Sequence, residues 1–438
     1  MTFLEDIFNS LNRLANYAVL RNHEGLPNNY RSRDIDLLID KKQYKKMRPV
    51  FQEISEHHRF EILVIYKAAG HHSIFFQSID DLKDIIQFDF LFNVSVQGIL
   101  LADSKLYLEN RLSNGSVYYL PNSLTFLNKY LYNRLLGYDY PEKYKDLKWL
   151  VITNYAEELE KWIIYTFGNQ ILNFQNVEKC SCRKLRNLAT KQGYRNHGLK
   201  QGLFFLHYVI CTFSNLIHPQ GLFLSFTGPD GVGKTTVLNI IGDAYKQVWN
   251  GDAVQVHHSR PDALPRLAVL LHHAGAVKTV DKDFDKPHRG RNSGFFGSFL
   301  RLFYYMADYQ IGYWRKIFPR RFHRQVTIYD RYYSDIVIDS QRSNIKLPYK
   351  IIYILGKLIP QPEYSVFVTA DEEVILSRKQ ELTKDEIHQI QNIISWMAKT
   401  NKKFIRVENN GPAEETADMI MEEILRKQNH KYKTYFQR

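Results

Sequence analysis

The run Gly228-Pro229-Asp230-Gly231-Val232-Gly233-Lys234-Thr235-Thr236 sets two glycines, a lysine and a threonine at the spacing G-x-x-x-x-G-K-[ST]. Glycines let a backbone turn tightly, so that successive N–H groups converge on an anion. Lys234 is placed to reach the β- and γ-phosphates of a nucleoside triphosphate, and Thr235 to offer a hydroxyl to magnesium. Gly228, Asp230, Gly231, Val232, Gly233, Lys234, Thr235 and Thr236 are therefore the candidate nucleotide-binding residues, with ATP and magnesium as the expected cofactors. A glycine-rich turn with an incidental lysine is the plain alternative. The apolar run before the glycines and the helical spacing after them argue against it.

Three further places carry candidate chemistry. The run 325–332 is a β-branched strand ending in Asp330, as suits a carboxylate that orders a magnesium shell or an acceptor hydroxyl. Arg331 beside it can neutralise a phosphoryl group in transfer. Arg260 follows a strand at 253–258 and would lie in the crevice where doubly wound sheets bind ligands. It serves there either as a clamp on an acceptor phosphate or as a structural ion pair. Near the N-terminus, Asp34 and Asp36 are separated by one residue in a strand, so both point to one face. With Asp89 on a later alternating run, they could hold one or two divalent ions, and two solvated acids is the plain alternative.

These residues need elements to position them. The apolar run 222–227 reads as a buried parallel strand, and Val237, Ile240, Ile241, Ala244, Tyr245 and Val248 repeat at helical spacing after the glycine run. A strand, a glycine loop and a helix N-terminus form an anion site from amides and helix dipole. Further strands are expected at 364–369 and 403–407, with helices at 295–314, 372–380, 384–399 and 413–427, and a basic, frayed tail after them. The stretch 278–301 is polar and glycine-containing, which suits a mobile substrate loop or, as the plain alternative, a disordered surface loop. In the first half, a helix at 3–14 precedes the Asp34 strand. Long helices follow at 124–138, 144–171 and 203–217, the last expected to be buried, with a basic solvated loop or helix face at 178–197.

The bulk numbers agree. At 438 residues the chain exceeds one ordinary core, and 44% hydrophobic with 24% charged residues is the make-up of a globular protein, as is a mean hydropathy of −0.38. The net charge of +13 suits anionic ligands, but no nucleic-acid-binding motif accompanies it. Three cysteines make no disulfide framework, and the Cys180/Cys182 pair has no partner pair for zinc. No signal pattern or membrane-spanning run is visible, so a cytoplasmic location is expected.

The loop residues, the Asp330-Arg331-Tyr332 triplet, the strand–helix unit ending at Arg378 and the closing strand–helix together resemble the thymidylate kinase family over about residues 220 to 430. The resemblance implies that Asp230 contacts an acceptor sugar hydroxyl. Because Gly231 follows that acid, it also implies that Arg378, in a lid, supplies a catalytic arginine. Two segments depart from that family, Ser259-Arg260-Pro261-Asp262-Ala263-Leu264-Pro265 and the stretch 333–339, and they are where the family holds thymidylate. The acceptor is therefore expected to differ. The version with His258 to Pro265 is similar to thymidylate-kinase-like proteins of bacterial surface-polysaccharide clusters. The first 150 residues resemble the polymerase-β type of nucleotidyltransferase, which implies Asp34, Asp36 and Asp89 as metal ligands; Arg21-Asn22 stands where that family has Gly-Ser, and an inactive copy retained for substrate binding is the alternative.

The expected fold is α/β: a P-loop doubly wound parallel sheet at 218–438, an N-terminal α+β nucleotidyltransferase-like domain at 1–150 and a helical connector at 151–217. The expected function is an ATP- and magnesium-dependent phosphotransferase acting on a nucleotide, sugar or sugar phosphate. Lys234, Asp330, Arg331 and Arg378 are its catalytic residues, Asp230, Arg260 and Arg331 meet the acceptor, and Thr235 and Asp330 hold magnesium. The alternatives are a nucleotide-gated binding factor or nucleotidyl transfer by the N-terminal domain. The expected partners are ATP and a small phosphate acceptor, and a homodimer is left open.

Overall fold

A computed structural model describes residues 1–29, 34–249, 251–258, 260–265 and 294–437. Ser259 and most of the polar stretch expected at 278–301, including 287–291, lie outside them. The chain divides into two compact units: Met1–Ile217 with Lys427–Arg438, and His218–Arg426.

In unit 1 the strands are β1 (Tyr17–Val19), β2 (Asp34–Ile39), β3 (Phe60–Ala68), β4 (His71–Ser78), β5 (Ile85–Leu91), β6 (Asn93–Val96), β7 (Ile99–Asp103), β8 (Leu112–Ser113) and β9 (Tyr118–Tyr119). Among the described residues they form a mixed seven-stranded sheet of order β3-β4-β5-β2-β1-β9-β8 and a β6-β7 pair. β2 runs parallel to β5 with Asp36 opposite Asp89. The residues of β1 and β2 that point away from the carboxylates pack with the helix Phe3–Leu14, whose Phe3, Leu4, Ile7, Phe8 and Leu11 are buried at i, i+3, i+4 spacing.

Helices at 151–217 belong to this same unit: Leu159, Ile163, Leu185 and Leu188 share one core with Leu124, Leu127 and Leu131. The long helix expected at 144–171 is broken at Tyr155, which caps both Lys145–Asn154 and Ala156–Phe167. Residues 182–197 are helical, capped by the Ser181 hydroxyl on Lys184 N–H. The helix Leu199–Ile217 forms, but the expectation that it is buried is corrected. Ile210 and Phe213 are 59% and 61% exposed, and Leu203, Leu206 and Ile217 are exposed as well. Its buried residues are polar: Gln201, bonded to Leu100 N–H and Gly98 C=O, and Asn215 near its end.

Unit 2 is a parallel five-stranded sheet of β10 (Phe223–Thr227), β11 (Val254–His258), β12 (Val326–Asp330), β13 (Tyr364–Thr369) and β14 (Phe404–Glu408), in the order β11-β12-β10-β13-β14. The three central strands are buried throughout and the edge strands only in part, which is why β10, β12 and β13 read as unbroken apolar runs. No helix among the described residues is long and apolar enough to cross a membrane.

Candidate functional site

β10 is the central strand of unit 2, and its C-terminal end opens into the glycine loop before the helix Lys234–Val248. Gly231 and Gly233 have φ of +85° and +87°, a region that side chains rarely adopt. A Cβ on Gly228 would stand 2.1 Å from the Val368 carbonyl, so the loop can follow this path only with glycine there. Val232 is held from the far side: the buried Asn409 amide donates to its carbonyl at 2.7 Å, and Thr416 fixes Asn409 in turn.

The side chains named from the sequence converge on this loop. Lys234 is buried, with Nζ donating to the Gly228 and Pro229 carbonyls at 2.9 and 2.7 Å. Burial and the neighbouring Arg331 push its ammonium down to about 8, against the opposing pull of Asp230, Asp335 and Asp330. The register Phe226 opposite Asp330 brings the end of β12 beside the loop, where the Thr235 hydroxyl donates to Asp330 Oδ2 at 3.0 Å. Among the described residues Asp330 Oδ1 is buried without a hydrogen-bond partner, and His258 Nδ1 stands 3.4 Å from Oδ2. A hydroxyl and a carboxylate so placed, with one buried oxygen still unmatched, fit a magnesium ion. Thr236 is exposed on the first turn of the helix.

Arg331 turns back at φ +75°, its N–H bonded to Phe226 C=O. Its guanidinium pairs with Asp335 at 2.9 Å and with Asp230. Asp230 receives a second guanidinium, Arg342 at 2.6 Å. Burial alone would raise the Asp230 carboxyl; Arg331, Lys234 and Arg342 outweigh it and hold the group below the usual carboxylate range. Arg378 reaches the loop through NH1, 3.5 Å from Val232 C=O and 3.3 Å from Asn409 C=O. Arg260 does not join the cluster. Its Nε donates to Asp262 at 2.8 Å and lies 3.5 Å from the fully buried Asp308, whose other oxygen accepts from Ala263 and Leu264 N–H. Of the two roles weighed for it, the structural ion pair is the one formed.

Arg342, Asp335 and Asn409 escaped the sequence reading. Asn409 carried a signal, as the residue just past the C-terminal end of a parallel strand. Arg342 carried none, because it lies in a turn whose path depends on the whole sheet.

In unit 1, Asp34, Asp36 and Asp89 do come together, with carboxylate oxygens within 4.8 Å of one another. A guanidinium stands among them. Arg21 Nε lies 2.5 Å from Asp36 Oδ2 and its NH2 3.1 Å from Asp34 Oδ2. Burial drives Asp36 up to about 7 despite Arg21, helped by Asp34 and Asp89, and burial raises Asp89 as well. A cavity of about 270 Å³ beside them is lined by Arg21, Asp36, Asp89, Asn128 and Lys129. The three acids expected as metal ligands are thus brought together, with Arg21 on one oxygen each of Asp34 and Asp36.

The geometry defines unit 2 as a parallel α/β fold with a strand–glycine loop–helix cradle. No family model and no curated protein matches the chain. Among solved structures, the thymidylate kinase from Ehrlichia chaffeensis is similar over 48% of this chain and 98% of that one, at 15% identity and a TM-score of 0.32. The functional reading is carried by the site's own geometry and not by this likeness.

Proposed function

We propose that unit 2 is an ATP- and magnesium-dependent phosphotransferase whose acceptor is a sugar, a sugar phosphate or a nucleotide other than thymidylate, with surface-polysaccharide synthesis as its setting. The observation that carries the reading is the pairing of Thr235 with Asp330 at 3.0 Å beside the buried Lys234, at the C-terminal end of the central strand. Thr235 and Asp330 would hold magnesium, which supplies charge neutralisation for the phosphates.

The chain's own groups supply the rest. The loop amides and the start of the helix Lys234–Val248 face the donor phosphates. Lys234 leaves the two loop carbonyls for the donor's terminal oxygens, exchanging neutral acceptors for charged ones. Asp230 holds Arg331 and Arg342 in place, so two guanidiniums stand ready where charge develops on the transferring group. Arg378 adds a third from the other side of the loop. The acceptor oxygen, a hydroxyl or a phosphate oxygen, forms the new bond to the γ-phosphorus and the bond to the β–γ bridging oxygen breaks; ADP leaves, with a proton where the acceptor is a hydroxyl.

Phosphorus NMR of the protein with magnesium-ATP and a panel of sugars, sugar phosphates and nucleoside monophosphates tests this. The expected result is ADP with a new phosphate ester, lost at least about a hundredfold in Lys234→Ala with the fold intact. Unchanged turnover in that variant refutes the assignment. Tight ATP binding without acceptor-dependent transfer would instead favour a nucleotide-gated binding factor.

A further inference from the structure

Three carboxylates whose oxygens lie within 4.8 Å of one another cannot all be ionised without a cation among them. In a polymerase-β-type site that cation would be a metal. Here the chain supplies its own. Arg21 follows Leu20, whose N–H is bonded to the Asp36 carbonyl at 2.9 Å, so the backbone that carries the guanidinium is pinned to β2. The side chain is only 21% exposed and is bound through two different nitrogens, to Asp36 and to Asp34. Lys129 lines the same cavity and lies within the field of Arg21, Asp34 and Asp36. Other polar groups face the cluster: Gln87 donates to Asp89 Oδ2 at 3.0 Å, and Ser73 stands opposite Asp89 on β4.

We infer that Arg21 is the resident cation of this cluster, and that the cluster consequently takes up no divalent metal. Arg21 holds Asp36 Oδ2 and Asp34 Oδ2, so a divalent ion among the three acids would have to compete with the guanidinium. A guanidinium does not vacate a site by losing its proton, because it stays charged at every pH a protein survives. It leaves only by breaking both ion pairs. The inference is independent of the phosphotransferase reading, which concerns unit 2.

Manganese titration followed by electron paramagnetic resonance tests it on the full chain without nucleotide. Every protein carries Asp330→Asn, so that unit 2 adds no site. The parent binds no manganese tightly. Arg21→Gly gains one equivalent, at least about tenfold tighter than any site in the parent, and Arg21→Gly with Asp36→Asn loses it. Arg21→Lys keeps the charge and stays without metal. If Arg21→Gly fails to fold, Arg21→Gln, which removes the charge and keeps an amide donor, replaces it. Two results overturn the inference: one tight equivalent in the parent that Asp36→Asn removes, or a folded Arg21→Gly protein, by circular dichroism, that gains none.

Discussion

Lys234 is held in a state that nucleotide binding would reverse. With burial and Arg331 lowering its ammonium to about 8, a sizeable fraction of the free protein carries a neutral amine at alkaline pH. Triphosphate oxygens beside it would raise that value again. Below about pH 8 the group is charged in both states and ATP affinity is flat; above it, binding must draw in a proton, and affinity falls as pH rises. Calorimetry near pH 9 in buffers of different ionisation enthalpy should therefore show proton uptake, absent in Lys234→Met. An affinity that stays level from pH 7 to about 10 would sink the idea. At this scale the sequence was informative wherever placement is fixed by spacing along the chain. Lys234, Thr235, Asp330 and Arg331 were legible because a strand end and a helix start leave them little freedom. Arg342 and the pairing of Arg21 with the acids of unit 1 were not, because each depends on which charge another segment delivers.

Among elements, the glycine loop is the most constrained by its neighbours. A methyl group on Gly228 would meet a main-chain carbonyl at 2.1 Å, and that carbonyl belongs to β13, whose own ladder bonds fix it. The loop would have to move instead of the strand. Gly228→Ala is expected to weaken ATP binding by about tenfold or more while unit 2 keeps its fold, measured by titration calorimetry and circular dichroism. Normal ATP affinity in that variant would mean that the loop does not cradle the phosphates. The strands and helices around the loop were readable because buried parallel strands are continuous apolar runs. The C-terminal tail was misread for an equally physical reason. Lys427, Lys431 and Lys433 suggested fraying, but Tyr432, Tyr435 and Phe436 of the same helix, Ala413–Gln437, pack into the core of unit 1. Lys67 and Arg48 lie over the Tyr435 ring, which turns positive charge from an obstacle into a contact.

For the molecule as a whole, the division into two units makes a thermodynamic statement. Each has its own sheet, and only unit 2 holds the glycine loop. Unfolding should then show two transitions, since separate cores need not lose their structure together. Each transition has its own handle. In unit 1, Tyr435 is 7% exposed and its hydroxyl lies 2.6 Å from both the Tyr44 hydroxyl and His72 Nδ1. Replacing it by alanine empties a ring-sized volume and leaves those two buried groups unmatched, a loss of about 3 kcal/mol or more. In unit 2, ATP at a hundred times its dissociation constant should add about 2.7 kcal/mol by mass action alone. Scanning calorimetry should therefore find Tyr435→Ala lowering one transition and magnesium-ATP raising the other. A single transition that both perturbations shift would show that the two units unfold as one. The separate behaviour of the acidic cluster and the glycine loop would then have to be sought in binding measurements instead of in stability.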